Sequence, residues 1–504
     1  MGKRLNLKWI TDIIKQDYMK WDDYDRIIID SQTGTGKTYF IKNVLIPYAN
    51  SINKKVLLVV NRVSLKRQLK IDLFTQFNIP CPSTNEALDN VMTIGNTTII
   101  SYQMLSNKIN YGEDVDSFLD SFRYIVMDEC HFLSADASFN NKTELAASKL
   151  LEDNKQNIKI FISATIDIVR EDIEDTCGEI WNYTTGRDYS YLDVYNFKTH
   201  DDLIETIKRD DSGFKWLVFV TSKDKGMEFK DDLLGVKTVN FIHTGNKNDN
   251  EDLDEIIRNS KFDVDVLIST KVLDNGVNIS DTRVKHLVIM ANDETTFIQE
   301  IGRLRVNIDN AETINLYIPK RSISYFRTLA MVSNRKAEQI ALYETDYDEF
   351  ARRYSRDFYK LAGEIFYLDN NNHWQINKYG LRSYREDVEL YNRMIEEMAD
   401  DKNAFVREQL SWIGRDNVKT KEIKDVEKTD NIRTYLNKHI NLPLDKVQQK
   451  ELVELLDIRD KKRKQQKSIS IIDAYLQENF SMKVNKKRIR IDGKQSTCWF
   501  IELM

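Results

Sequence analysis

Cysteine and proline are scarce in this chain, with four and five respectively among 504 residues. Cys81, Cys130, Cys177 and Cys498 lie far apart and form no CxxC pair, which fits neither a disulfide framework nor a zinc site. A reducing, cytoplasmic setting is therefore expected. No apolar run approaches the roughly 18 residues of a membrane span. The opening MGKRLNLKWI lacks both the apolar stretch of a signal peptide and the Ser/Thr of a myristoylation site, so no membrane partner is expected. An excess of positive charge is missing too: the formal net charge of -6 argues against a basic nucleic-acid coat. The charge is unevenly spread. Asn431–Met504 holds 16 Lys/Arg against 9 Asp/Glu, which leaves -13 on residues 1–430. No repeat of short period and no long low-complexity segment occurs.

What is present is ample core material, 41% hydrophobic residues, enough for three or four domains. From Asp25 onward RIIID, KVLLVV, TTIIS, YIVMDE and IKIFIS alternate with amphipathic stretches, the rhythm of a parallel sheet with crossover helices. A second series, LDVYNF, KWLVFV, VKTVNFI, DVLIST, VKHLVIM and TINLYI, begins near Tyr191, with TTGRDYS (184–190) as the joint. The fold class is thus α/β, two tandem parallel-sheet domains at 1–189 and 190–320. A mostly helical extension (321–430) follows, in which GEIFYLDNNNHWQINKYG reads as a hairpin turning at its Asn run. A small basic C-terminal module occupies 431–504. There KVNKKRIRIDGKQSTCWFIEL reads as a hairpin turning at Asp492 and Gly493, in a winged-helix-like fold.

The stretch IIIDSQTGTGKT carries the first chemistry. Ser31, Gln32, Thr33, Gly34, Thr35, Gly36, Lys37 and Thr38 match a phosphate loop between a strand and a helix, with Ser31 where glycine is usual. Glycines let backbone N–H groups approach phosphates, the helix N-terminus favours their charge, Lys37 reaches the β/γ oxygens, and Thr38 can ligate Mg²⁺. Downstream, YIVMDECHF places Asp128 and Glu129 just past an apolar strand, where adjacent carboxylates need a counter-charge. Mg²⁺·ATP supplies it: Asp128 would hold the metal, and Glu129 would orient and deprotonate water.

With VLLVVNRVSLKRQL, TTIISYQML, DECH (128–131), FISAT, KWLVFVTSK, FIHTG, STKVLDNGVNI (269–279) and FIQEIGRLR (297–305) following in order, residues 20–320 resemble superfamily 2 helicases of the DEAD/DEAH-like group. That resemblance implies two RecA-like domains, with ATP and Mg²⁺ in the cleft between them. Gln299, Arg303 and Arg305 would contribute to catalysis from the second domain, one arginine acting as a finger on the γ-phosphate. The two arginines are separated by one residue where the common pattern has two, and which is the finger stays open. Gly276 and Asn278 would touch the nucleotide, Asn278 standing where Asp is usual. Asp274 could supply that missing charge or be an ordinary loop residue. Ser163 and Thr165 would couple hydrolysis to movement by bonding back to the carboxylates. Arg62, Thr244 and Thr270 would meet nucleic acid, and His131 would hydrogen-bond across the cleft. The remaining histidines, His200 and His243 among them, form no evident metal cluster.

Gln16 and Trp21, upstream of the phosphate loop, do not make a convincing adenine motif. Glu422, Ile423 and Lys424 spell ExK, but in a lysine-rich helix, so no nuclease is indicated. The chain reads as an ATP hydrolase, a helicase or translocase on nucleic acid, DNA favoured over RNA. Two other readings stay open: a duplex translocase in a restriction or phage-defence complex that does not separate strands, and a nucleotide-dependent binding clamp. The C-terminal module is expected to hold nucleic acid or a protein partner.

Overall fold

A computed structural model describes residues 2–61, 63–135, 142–151, 156–174, 178–246, 250–273, 277–459, 464–491 and 494–503. Two compact units emerge. One comprises residues 1–194 and 198–419; the other comprises 195–197 and 420–504.

The first lobe of the larger unit is built on strands β1 (Arg26–Asp30), β2 (Val56–Val60), β3 (Thr93–Ile94), β4 (Thr97–Ser101), β5 (Tyr124–Asp128), β6 (Ile158–Ser163) and β7 (Ile180–Thr184), ordered β3-β4-β2-β5-β6-β1-β7. All neighbours run parallel except β3 against β4. Strands covered on both faces have no polar face to keep, which is why VLLVV and IKIFIS are unbroken apolar runs. Alternation still sorts them: Ile27, Ile29, Leu58 and Val60 enter one core, while Ile28, Leu57 and Val59 enter the other. After β1 the chain runs as helix from Lys37 to Ser51, with a π-helical stretch at Ile41–Leu45. Pro47 has no N–H to give the preceding turn, and the wider stretch lies just before it.

The second lobe holds β8 (Leu192–Phe197), β9 (Lys215–Phe219), β10 (Val239–Ile242), β11 (Val266–Ser269), β12 (Val284–Ile289) and β13 (Ile314–Pro319), ordered β10-β11-β9-β12-β13-β8. Its helix Glu294–Arg303 is buried from Thr296 to its end and capped by Asp293, whose side chain accepts from Thr296 N at 2.8 Å.

Beyond β13 come the helices Ile323–Thr345, Tyr347–Tyr354, Lys378–Asp400 and Ala404–Ser411. The strands β14 (Phe366–Leu368) and β15 (Trp374–Ile376) pair antiparallel around the Asn run. The helix Lys378–Asp400, about 35 Å long, touches both lobes. Near its start Asn377 Nδ2 donates to Thr143 Oγ1 (3.0 Å), Arg382 grips Asp172 (2.6 and 3.0 Å) and Tyr379 joins a first-lobe core. Near its end Met394 and Met398 pack with Phe297 and Phe326 in the second-lobe core.

In the smaller unit, Tyr195 and Asn196 pair in parallel with β16 (Lys421–Glu422). The helix Ile423–Lys438, β17 (Pro443–Leu444), the helices Lys446–Leu456 and Ile469–Phe480, β18 (Met482–Ile491) and β19 (Lys494–Leu503) follow. The three strands form an antiparallel sheet, β17-β19-β18, over a core that includes Leu436, Leu452, Ile472, Leu476 and Ile501. Asp492 and Gly493, the expected turn, lie outside the described residues.

Candidate active site

Strand order assembles the site. Because β5, β6 and β1 are adjacent and parallel, Asp128, Ser163 and Ser31 leave the same sheet edge side by side; Asp30 pairs with Ser163 and Asp128 with Ile162. Such carboxyl ends are where open α/β sheets bind ligands.

The phosphate loop is tightly held. Ser31 N donates to Ser163 O (2.9 Å), the Ser31 and Thr35 hydroxyls are 2.7 Å apart, and Thr35 Oγ1 donates to Gln32 O (2.7 Å). A glycine at position 31 would lack the first hydroxyl, so the departure from the usual pattern adds a brace. Gly34 and Gly36 sit at φ +89° and +94°, a region that side chains disfavour. Thr38 is exposed on the first helical turn. Lys37 is buried and its Nζ donates to Glu129 Oε1.

Around that ion pair the acids differ. Burial, with the nearby Glu129 charge, raises Asp128 above the usual carboxylate range. Burial also pushes Glu129 up, but Lys37 and His131 outweigh it and hold Glu129 well below its usual value. Glu129 itself adopts φ +50°. Asp128 Oδ1 is buried with no hydrogen-bond partner.

The second lobe supplies the arginines. Arg303 is spent on its own lobe: its Nη2 donates to Gln299 Oε1 (2.7 Å), its Nε to Gln299 O (3.1 Å) and its Nη1 to Val277 O (3.4 Å). Arg305 donates Nε and Nη2 to Asn278 Oδ1 (2.9 and 2.5 Å), while its buried Nη1 has no partner. Burial and Arg303 push Arg305 down to about 10, partly offset by Glu129 and Asp128. Asn278, expected at the nucleotide, is thus occupied with Arg305 in this structure.

Two further expectations change. Ser163 Oγ meets His131 Nδ1 at 2.9 Å, and the same nitrogen lies 3.3 Å from Glu129 Oε2. Ser163 therefore reaches the carboxylates through His131, and His131 is engaged within its own lobe; Thr165 N donates to Ser163 Oγ (3.0 Å). Burial lowers the His131 pKa, only partly opposed by Glu129, which favours the neutral ring. His200 does join a potential ligand group, its Nε2 being 2.7 Å from Asp232 Oδ2 with Glu228 nearby. Glu228 and Asp232 lie on the next helix, so spacing along the chain concealed the group.

Thr270 follows β11, its N–H donating to Ile242 O (3.2 Å), and exposed Thr244 follows neighbouring β10. Arg62, Asp274 and Gly276 lie outside the described residues. Trp21 is core, packed on Phe40, and Gln16 is exposed. Residues not singled out from sequence also belong to the site. Gln32 and Asp188 bond reciprocally, Gln32 Nε2 to Asp188 O (3.1 Å) and Asp188 N to Gln32 Oε1 (2.7 Å), which fastens the phosphate loop to the interlobe joint. Ile10 N donates to Thr35 O (3.0 Å). The only sequence signal for these was the joint TTGRDYS itself.

Residues 6–168 match the family model of the type III restriction enzyme res subunit, and residues 198–307 match that of the helicase conserved C-terminal domain. The chain belongs to the superfamily 2 helicases and is an ATP hydrolase of that type, with the nucleic-acid helicase or translocase kind of function. It is similar to S. cerevisiae Dbp5 bound to RNA and ADP BeF3 (17% identity, 61% of this chain and 82% of that one, TM-score 0.43). It is also similar to a DEAD box protein from Methanococcus jannaschii (17%, 64% and 89%, 0.33) and to Mycobacterium smegmatis Lhr bound to ssDNA and AMP-PNP (13%, 63% and 46%, 0.42). No curated protein matches the chain. Among the described residues, no helix is long and apolar enough to cross a membrane.

Proposed function

We propose that this protein is an ATP-driven motor that moves along or unwinds DNA in preference to RNA, with residues 1–189 holding the nucleotide and 190–320 completing the site when the lobes approach. Residues 321–430 would span the lobes, and 431–504 would form a separate basic module. The observation that carries the reading is the unpartnered Arg305 Nη1 on one lobe, in electrostatic reach of Glu129 and Asp128 on the other.

The residues fit Mg²⁺·ATP. Gly34 and Gly36 open the loop backbone, Asp128 Oδ1 is a buried acceptor without a donor, and Lys37 and Arg305 flank it with positive charge. Thr38 and Asp128 would hold Mg²⁺, which when bound neutralises charge between the β- and γ-phosphates. In this mechanism Ser31 to Thr38 cradle the phosphates. Lys37 exchanges Glu129 for a phosphate oxygen, which frees Glu129 to take a proton from water. Arg305, braced by Asn278, meets charge that develops on the transferred group, while Gln299 fixes Arg303 beside it. Ser163 and Thr165 sense the state of Glu129 through His131. Arg62, Thr244 and Thr270 contact nucleic acid, Gly276 approaches the nucleotide, and the setting is cytoplasmic.

ATPase rates with single-stranded DNA, duplex DNA, forked DNA and RNA in parallel test this. Stimulation is expected, strongest with a DNA; equal rates with all four and with none would sink it. The type III restriction match over the first lobe favours a second reading, translocation on duplex without strand separation. Strand displacement on the forked substrate separates the two.

A further inference from the structure

The smaller unit ends in a two-stranded ribbon whose charge is one-sided. β18 and β19 are ten residues each, about 33 Å long. On one face of β18, Met482 and Val484 are buried in the unit's core, while Lys486, Arg488 and Arg490, in the same alternation, are exposed. Across from them on β19 stand Trp499, Thr497 and Gln495. The ribbon thus leaves the core halfway along, and its free half is basic. On its other face Lys483 and Lys487 are held by Glu502 at 3.4 and 2.7 Å. Among the described residues no acidic partner accompanies Lys486, Arg488 or Arg490.

The helix Ile469–Phe480 is different. ISIIDAYLQENF contains no Lys or Arg; its exposed residues include Ser470, Ala474, Gln477, Glu478 and Asn479. Pressed into a groove, it would bring Glu478 toward phosphates.

We propose that Lys486, Arg488 and Arg490 on the β18–β19 ribbon grip the phosphate backbone of duplex DNA, and that the helix Ile469–Phe480 takes no part. The inference rests on the reading of the protein as a DNA motor. Cations two residues apart on one strand face are about 6.7 Å apart, twice the roughly 3.4 Å rise per phosphate of one DNA strand, so each meets a different phosphate. A two-stranded ribbon enters the major groove of B-form DNA, whereas that of A-form RNA is deep and narrow.

The test uses the full-length protein with Lys486→Ala, Arg488→Ala and Arg490→Ala combined, beside Gln477→Ala with Asn479→Ala on the helix. Binding to duplex DNA, single-stranded DNA and duplex RNA is measured over a salt series. The triple variant should bind duplex DNA more weakly, with the slope of log K against log salt shallower by roughly 2 to 3, about 0.9 per lost contact. The helix variant should match wild type, and ATPase without nucleic acid should be unchanged in both. An unchanged duplex slope in the triple variant, a helix variant that loses as much, or an equal loss on duplex RNA would overturn the proposal. If wild type binds neither DNA nor RNA, the motor reading itself falls; if it binds and the triple variant is unaltered, only the ribbon falls.

Discussion

Arg303 and Arg305 carry the same charge two positions apart, yet their surroundings divide them. Arg303 spends its donors on Gln299 and Val277, inside its own lobe. Arg305 keeps Nη1 unpaired and leans on Asn278 for aim. Arg305→Ala should therefore lower kcat by about 10³ or more while ATP affinity changes little, and Arg305→Lys should fail to restore it because a lysine cannot keep the planar fork. Arg303→Ala should instead lower the thermal midpoint, by leaving Gln299 buried without its partner. Turnover, nucleotide titration and melting curves separate the two, and equal kinetic loss from both would refute the division. His286 offers a different test. Its ring stacks on Trp216, Nδ1 meets Tyr317 Oη at 3.1 Å, and burial pushes it down to about 4, with Asp210 opposing weakly. The unfolded ring titrates near 6.5, so the unfolded state binds the extra proton between those values. The contribution to stability is full above pH 6.5 and is lost as pH falls toward 4, amounting to about 2 kcal/mol at pH 5. Between pH 7 and 5 the melting of wild type should fall further than that of His286→Phe; parallel curves would contradict the assignment.

At the scale of elements, Ser163 joins two of them. It ends β6, and through His131 it touches the segment after β5 that holds Glu129. Ser163→Ala should cut strand displacement per ATP more than it cuts ATPase, since the relay is lost while Lys37, Glu129 and Arg305 stay. Equal loss in both would make the hydroxyl part of the chemistry itself. The alternation of apolar strands with helices, the phosphate loop and the paired acids were all legible in sequence, because each is a local pattern whose period or spacing has a physical cause. The choice between the arginines was not. It depends on Asn278 and Val277, which approach only through tertiary packing. Nor was the bond between Gln32 and Asp188 legible, since their 156-residue separation leaves no periodic trace. His200 belonged to a group hidden for the same reason.

Across the whole larger unit, three segments tie the lobes. The joint carries Asp188, the helix Lys378–Asp400 reaches both cores, and the N-terminal strap places Leu5 and Leu7 in the second-lobe core and Ile10 and Ile14 in the first. The lobes can therefore shift only by small amounts while these stay packed, and the surfaces that meet at the phosphate loop must fit closely. Gly302 is where that fit is tightest. A Cβ there would stand 2.6 Å from Thr33 Cγ2 and 2.9 Å from its Oγ1, closer than atoms can approach, so something must move. Within its own lobe the glycine is costly, because it lies in the helix Glu294–Arg303, where alanine is favoured by about 1 kcal/mol. Gly302→Ala should accordingly leave the melting temperature unchanged or raise it while lowering turnover, because Arg305 is held back from Glu129 as the lobes are wedged apart. Gly302→Ala combined with Thr33→Ser, which removes the nearer Cγ2, should recover part of the rate. A Gly302→Ala protein with wild-type turnover would mean that this contact does not govern the approach of the lobes, and one that melts early would place the glycine's role in its own helix.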